Sequence, residues 1–199
     1  MSRAVLGVAL LAVTTLLNCG GRQADYVSTG SLCGVRGLAG EPIPDVAGPG
    51  ACGIDNAVMV RAVSGIRLTS PAQVNCTTAR ALKSWVDNGI KPAVGRKGGG
   101  IEALQVAASY ACRGRNRQVG AKLSEHGKGN AVDISAILLR DGSKLTVQDD
   151  WRRERKIMSR IHQSACGTFG TVLGPNSDSF HQDHFHVDTA SHRGGPYCR

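Results

Sequence analysis

The stretch that decides the fold is AVDISAILLRDGSKLTV, residues 131–147. Ala131 to Leu139, a run largely apolar around Asp133, reads as a strand. Asp141-Gly142 is a hairpin turn signal, and Lys144–Val147 is its returning strand. Asp149 to about Ala165 then changes period: Trp151, Ile157, Met158 and Ile161 fall on one side of a helix. Upstream, Leu104, Val106, Ala108 and Tyr110 alternate as one side of another strand. Downstream, His184 to Asp188 reads as a last strand. Strands and helices mix without a regular strand–helix alternation. The expectation is therefore α+β: one domain with a mostly antiparallel sheet flanked by helices.

Further out the signals are local. Ala57-Val58-Met59-Val60 is β-like. Ser70-Pro71 has the chemistry of a helix start, with Ser at the N-cap and Pro at the first helical position. That helix would carry Ala79, Leu82, Trp85 and Val86 at 3–4 spacing and stop near Asn88-Gly89. Residues 95–100 form a glycine-rich turn. Residues 33–56 are rich in Cys, Gly and Pro and read as a loop region pinned by Cys33 and Cys52. Residues 57–199 are expected to form the main domain. Trp85 and Trp151 read as core anchors, His162 as part of a polar helix face, and His192 as part of a glycine-rich tail.

The N-terminus has the layout of an export signal. Met1-Ser2-Arg3 is a short basic start, Ala4–Leu17 is almost wholly apolar, and Asn18-Cys19-Gly20-Gly21 follows. The expectation is a signal peptide over 1–18, a lipid on Cys19 that ties the chain to a membrane, and a tether over 19–32. Export places the chain in a periplasmic or cell-surface setting, where disulfides persist. The chain has seven cysteines. Cys33, Cys52, Cys76, Cys112, Cys166 and Cys198 remain after Cys19 is assigned to the targeting segment. None lies in a Cys-x-x-Cys spacing, so they read as three disulfides rather than a thiolate metal site. Sequence does not choose among the possible pairings.

Composition narrows the function. The chain has 199 residues, 41% of them hydrophobic and 20% charged, which suits a domain with a real core rather than a disordered segment. Its net charge is +9. A nucleic-acid partner is disfavoured, because the charge is dispersed, no nucleic-acid motif is present and export removes the usual partner.

Chemistry concentrates in two segments, SEHGKGNAVD at 124–133 and HQDHFH at 181–186, which hold four of the six histidines. His and Asp side chains suit a borderline divalent metal, and three protein ligands with one open position make a catalytic zinc site. His184 and His186 are two apart on a strand and share a face. Asp133 sits in an otherwise apolar run, where a carboxylate needs a strong partner.

Ser124 to Asp133 fits the pattern S-x-H-x-x-G-x-A-x-D, and with the later H-x-H it resembles the LAS group of zinc peptidases. More narrowly, the chain resembles the bacterial extensin-like C-terminal domain family. The resemblance is carried by Ser109–Asn116 (SYACRGRN), by LSEHGKGNAVDI, by Ala165–Pro175 (ACGTFGTVLGP), by HQDHFHVD, and by the closing Tyr197-Cys198. It covers roughly residues 51–199. It implies a LAS-like fold, a single Zn2+ held by His126, Asp133 and His186, and a catalytic role for His184. It also implies substrate contacts from Arg113, Ser124 and His181. Relatives often use a Glu near the last ligand as base; here no Glu lies near His186, and Asp183 is the nearby acid. The implied activity is a zinc-dependent peptidase or amidase acting on peptidoglycan peptides. The alternative is a non-catalytic, zinc-holding module of the cell wall.

Overall fold

The computed structural model describes residues 31–199. The signal segment, Cys19 and most of the tether lie outside the described residues. Among the described residues eleven strands run in chain order: β1 Leu38–Pro42, β2 Val46–Ala47, β3 Gly53–Ile54, β4 Ala57–Val63, β5 Ile66–Asn75, β6 Ile101–Ala108, β7 Ala131–Leu139, β8 Lys144–Thr146, β9 Thr171–Leu173, β10 Phe185–Asp188 and β11 Tyr197–Cys198. The α-helices are α1 Cys76–Trp85, α2 Lys91–Val94, α3 Val147–Arg153 and α4 Arg155–Ala165. Nine strands form one mixed sheet in the order β1-β4-β5-β6-β7-β10-β9-β11, with β8 also on β7; β2 and β3 pair separately. The architecture is α+β, as the hairpin and the mixed periods predict.

The 131–147 hairpin is the centre of this sheet. β7 is flanked by β6, β8 and β10, all antiparallel to it. The junctions β5–β6 and β9–β11 are parallel. The first of these encloses α1 and α2, so the sheet holds one strand–helix–strand crossover within an otherwise irregular mix of strands and helices.

The helices cover one face. Trp85 is 1% exposed, and its indole N–H donates to the Ile161 carbonyl at 2.9 Å. It meets Phe169 edge to face, with centroids 5.8 Å apart. Phe185 and Val187 of β10 point into this core. The alternate residues of β10 therefore face the other way, and that alternation positions the site.

Several local readings are corrected. Ser70-Pro71 does not start a helix; both lie inside β5. The β4–β5 pairing jumps from Ala62↔Arg67 to Val60↔Ala72, so Pro71 falls in a bulge where no ladder N–H is required. The helix starts at Cys76 instead, capped by Asn75, whose side chain accepts from the Thr78 N–H at 2.9 Å. It does not stop at Asn88-Gly89. It passes through a π turn at Val86–Ile90 into α2 and ends at Gly95, where φ is 58°. Gly89 is a close-approach residue: a Cβ there would collide with the Ser164 side chain of α4.

His162 is not on a polar face. It is 8% exposed, its ring lies against Trp151 and Phe185, and its Nε2–H donates to the Arg199 carbonyl at 2.9 Å. Residues 33–56 are not all loop, since β1 joins the main sheet beside β4. Cys33 and Cys52 do pin that segment, through bonds to other parts of the chain. The bonds are Cys33–Cys76, Cys52–Cys112 and Cys166–Cys198, and each ties a segment to a distant part of the chain.

Candidate metal centre

The sheet face opposite the helices carries a row of polar residues. On β10, His186 and Asp188 are two apart and share that face, and His186 is the register partner of Asp133 on β7. His126 arrives from outside the sheet, on the short 3-10 turn Glu125–Lys128. That turn is fixed from several sides. Glu125 is 8% exposed and accepts from Lys128 Nζ at 3.0 Å and Asn130 Nδ2 at 2.7 Å. Gly129 ends the turn at φ 65°, with Ile54 of β3 packed where a side chain would project. The unusual composition of residues 124–133 thus has two parts: His126 and Asp133 reach the site, while Glu125, Gly129 and Asn130 build the turn.

His126, Asp133 and His186 are all buried, and one ligand atom from each lies within 4.8 Å of the others. His126 Nε2 is 3.1 Å from Asp133 Oδ1 and 3.2 Å from His186 Nδ1, and His186 Nδ1 is 2.9 Å from Asp133 Oδ1. The groups behind the two rings set their tautomers. His126 Nδ1–H donates to the Ser109 carbonyl at 2.6 Å, leaving Nε2 as a lone pair. His186 Nε2–H donates to Asp188 Oδ2 at 3.0 Å, leaving Nδ1 as a lone pair. Two imidazole lone pairs and a carboxylate then converge on one point, an arrangement that repels itself unless a proton or a cation sits among them.

The spacing favours a cation. A tetrahedral ion with bonds of about 2.0–2.1 Å has ligand–ligand edges of about 3.3 Å, close to the separations present. A donor set of two imidazoles and one carboxylate suits zinc among the common ions. These residues therefore fit a zinc ion.

Electrostatics agree. Burial works against a charge on His186, but hydrogen bonds to Asp133 and Asp188 outweigh it and push its pKa up to about 9. Burial likewise opposes the Asp133 carboxylate, and the hydrogen bonds from His126 and His186 hold its pKa far below the usual range. The site draws positive charge toward Asp133.

These groups lie in a cleft of about 560 Å³. His184 lies beside the triad, with Nε2 3.7 Å from Asp133 Oδ2 and Nδ1–H donating to Asp183 Oδ1 at 2.7 Å. His181 is 7% exposed, its ring centroid 5.2 Å from that of His184 and 5.7 Å from that of His186. Its Nδ1–H donates to Asp178 Oδ1 at 2.7 Å. Burial pulls the His181 pKa down, and the Asp178 carboxylate offsets this only in part. Arg113 and Ser124 also line the cleft, joined by the Ser124 N–H donating to the Arg113 carbonyl at 3.0 Å. The expected metal ligands His126, Asp133 and His186, the expected catalytic His184 and the expected substrate contacts Arg113, Ser124 and His181 all border this cleft.

Sequence reasoning missed Asp188 and the Ser109 carbonyl, and it left Asp183 without a role. Asp188 carried a usable signal: it is two residues past His186 on the same strand, hence on the same face. The Ser109 carbonyl carried none, because any residue type offers one.

A family model described as extensin-like protein C-terminus matches residues 33–199. No curated protein and no solved structure gives a significant match.

Proposed function

Since the chain belongs to the extensin-like protein C-terminus family, we propose that it is a zinc-dependent peptidase or amidase acting on peptidoglycan peptides in the cell envelope. The observation that carries the reading is the convergence of His126 Nε2, Asp133 Oδ1 and His186 Nδ1 at 2.9–3.2 Å, in an open cleft that also holds His184. The likeness of the 124–133 and 184–186 motifs to LAS zinc peptidases supports it. The three disulfides support an exported location, with the chain anchored through a lipid on Cys19.

In this reading His126, Asp133 and His186 hold the ion, and the Ser109 carbonyl and Asp188 keep both imidazoles in the ligating tautomer. Bound there, zinc supplies Lewis-acid polarisation of a scissile carbonyl and lowers the pKa of a bound water toward about 7. His184 is the proton carrier. Its Nδ1–H is committed to Asp183, so Nε2 presents a lone pair to the cleft and takes the proton of the attacking water. Protonated, it stabilises developing negative charge or returns the proton to the leaving amine. Arg113 anchors a substrate carboxylate, for which its planar fork suits better than a lysine. Ser124 and His181 make further substrate contacts.

The test is digestion of purified peptidoglycan by metal-loaded protein, with and without chelator, beside His184→Ala. New peptide products that vanish in both controls are expected. Their absence from the metal-loaded wild type would overturn the proposal.

A further inference from the structure

The cleft holds charged groups that the metal centre does not use. Four carboxylates beside the triad line it, and each is already engaged: Glu125 by Lys128 and Asn130, Asp178 by His181, Asp183 by His184, and Asp188 by His186. Arg115 and Arg117 line the same cleft beside Arg113. Neither makes an ion pair with a described residue. The lining carboxylates thus each have a hydrogen-bond partner, while Arg115 and Arg117 have no carboxylate partner among the described residues.

That stretch is built rather than loose. Gly114 bridges Leu123, and the Arg115 N–H donates to the Lys122 carbonyl at 2.9 Å. The Arg117 N–H donates to the Gly114 carbonyl at 3.2 Å, and the Gln118 N–H to the Arg115 carbonyl at 3.1 Å. The Cys52–Cys112 bond ties its base to the loop before β3. Asn116 and Arg117 sit consecutively in the left-handed region, at φ 54° and 58°. Side-chain-bearing residues rarely hold that conformation unless their surroundings impose it.

We propose that Arg115 and Arg117 form a carboxylate-binding wall beyond Arg113, so that the cleft selects acidic peptides bearing free carboxylates away from the bond cut. The inference rests on reading the cleft as a peptide site and names the chemical class it takes. Guanidinium groups match carboxylates in bidentate geometry, and unpaired arginines in a cleft also steer anionic ligands into it.

The experiment uses the zinc-loaded protein and peptidoglycan sacculi stripped of phosphate polymers, in native form and with free carboxyls converted to amides. The variants are Arg115→Gln/Arg117→Gln and Arg115→Lys/Arg117→Lys, with zinc content and thermal melting confirming an intact fold. Wild type should bind native sacculi about tenfold more tightly than amidated ones. The Gln variant should bind native sacculi several-fold more weakly than wild type and keep only the smaller amidation effect that Arg113 supplies, about threefold. The Lys variant should fall between. Wild-type affinity retained by the Gln variant, or equal sensitivity of both proteins to amidation, would overturn the wall. Peptide release is read in the same samples. Its absence from wild type removes the peptidase reading while the amidation comparison still reports on the arginines. Release without any arginine effect removes the wall alone.

Discussion

His126 Nε2 and His186 Nδ1 face each other at 3.2 Å with both opposite ring nitrogens committed as donors. Two lone pairs held that close need a positive charge between them. The first expectation is that the purified protein retains about one zinc per chain. His126→Ala and Asp133→Ala should each lower metal content by well over half in elemental analysis. Wild-type zinc in either variant would refute this ligand set.

Asp188 should act on the metal only through His186. Asp188→Ala frees the ring to place its proton on Nδ1, where it competes with the ion. Loss of such a supporting carboxylate typically costs 10–100-fold in affinity. Titration against a competing chelator should show a loss of about that size with circular dichroism unchanged. Unaltered affinity would show that the tautomer is not set by Asp188.

Asp183 should tune turnover without touching metal binding. Its side chain is 67% exposed, so its hold on His184 is weaker than that of a buried carboxylate. Asp183→Ala should reduce peptide release about tenfold at unchanged zinc content. An equal loss of zinc would mean that Asp183 supports the centre rather than the proton carrier.

His162 predicts a response to acid. Burial lowers its pKa below the ordinary value of 6.5, although the hydrogen bond to the Arg199 carbonyl partly opposes this. A depressed pKa means that the neutral form is favoured on folding. Its contribution is therefore complete above about pH 6.5 and is lost as pH falls through the lower folded value. Urea denaturation of wild type minus His162→Gln should show a difference that shrinks from pH 7 toward pH 5. Its slope should not exceed about 1.4 kcal/mol per pH unit, the limit for one proton. A difference independent of pH would mean that His162 does not titrate in this range.

The disulfide Cys52–Cys112 closes the longest of the three loops, with a sequence separation of 60. Chain entropy assigns such a cross-link about 4 kcal/mol. Removal of both cysteines by alanine should cost about 2–4 kcal/mol in chemical denaturation and weaken the setting of Arg113, the residue after Cys112. A loss below about 1 kcal/mol would show that the bond is not a main support of the cleft wall.

The readings that held share a physical feature: their signals are short-range. The hairpin at 131–147 is legible because apolar content and the Asp141-Gly142 turn both act within a few residues. The helix through Leu82 and Trp85 was visible by its spacing, but its start was misplaced because Ser70-Pro71 fits a β-bulge as well as a helix cap. Its end was misplaced because Gly89 serves a contact with Ser164, far away in the chain. His162 looked exposed among charged neighbours, and only the meeting of Trp151, Phe185 and the Arg199 carbonyl buries it.

By itself the sequence determined which side chains are available for chemistry, and that an apolar strand carries Asp133 while an alternating one carries His186. Residue type and period are properties of the local chain. Tertiary structure decided the rest. It set the pairing of the six cysteines, the acceptance by the Ser109 carbonyl and Asp188 that fixes which nitrogens point inward, and the placing of Arg115 and Arg117 in the cleft that holds the metal-ligand residues. Each of these depends on groups distant in sequence meeting at hydrogen-bonding or bonding distance, and no local pattern records where the chain returns.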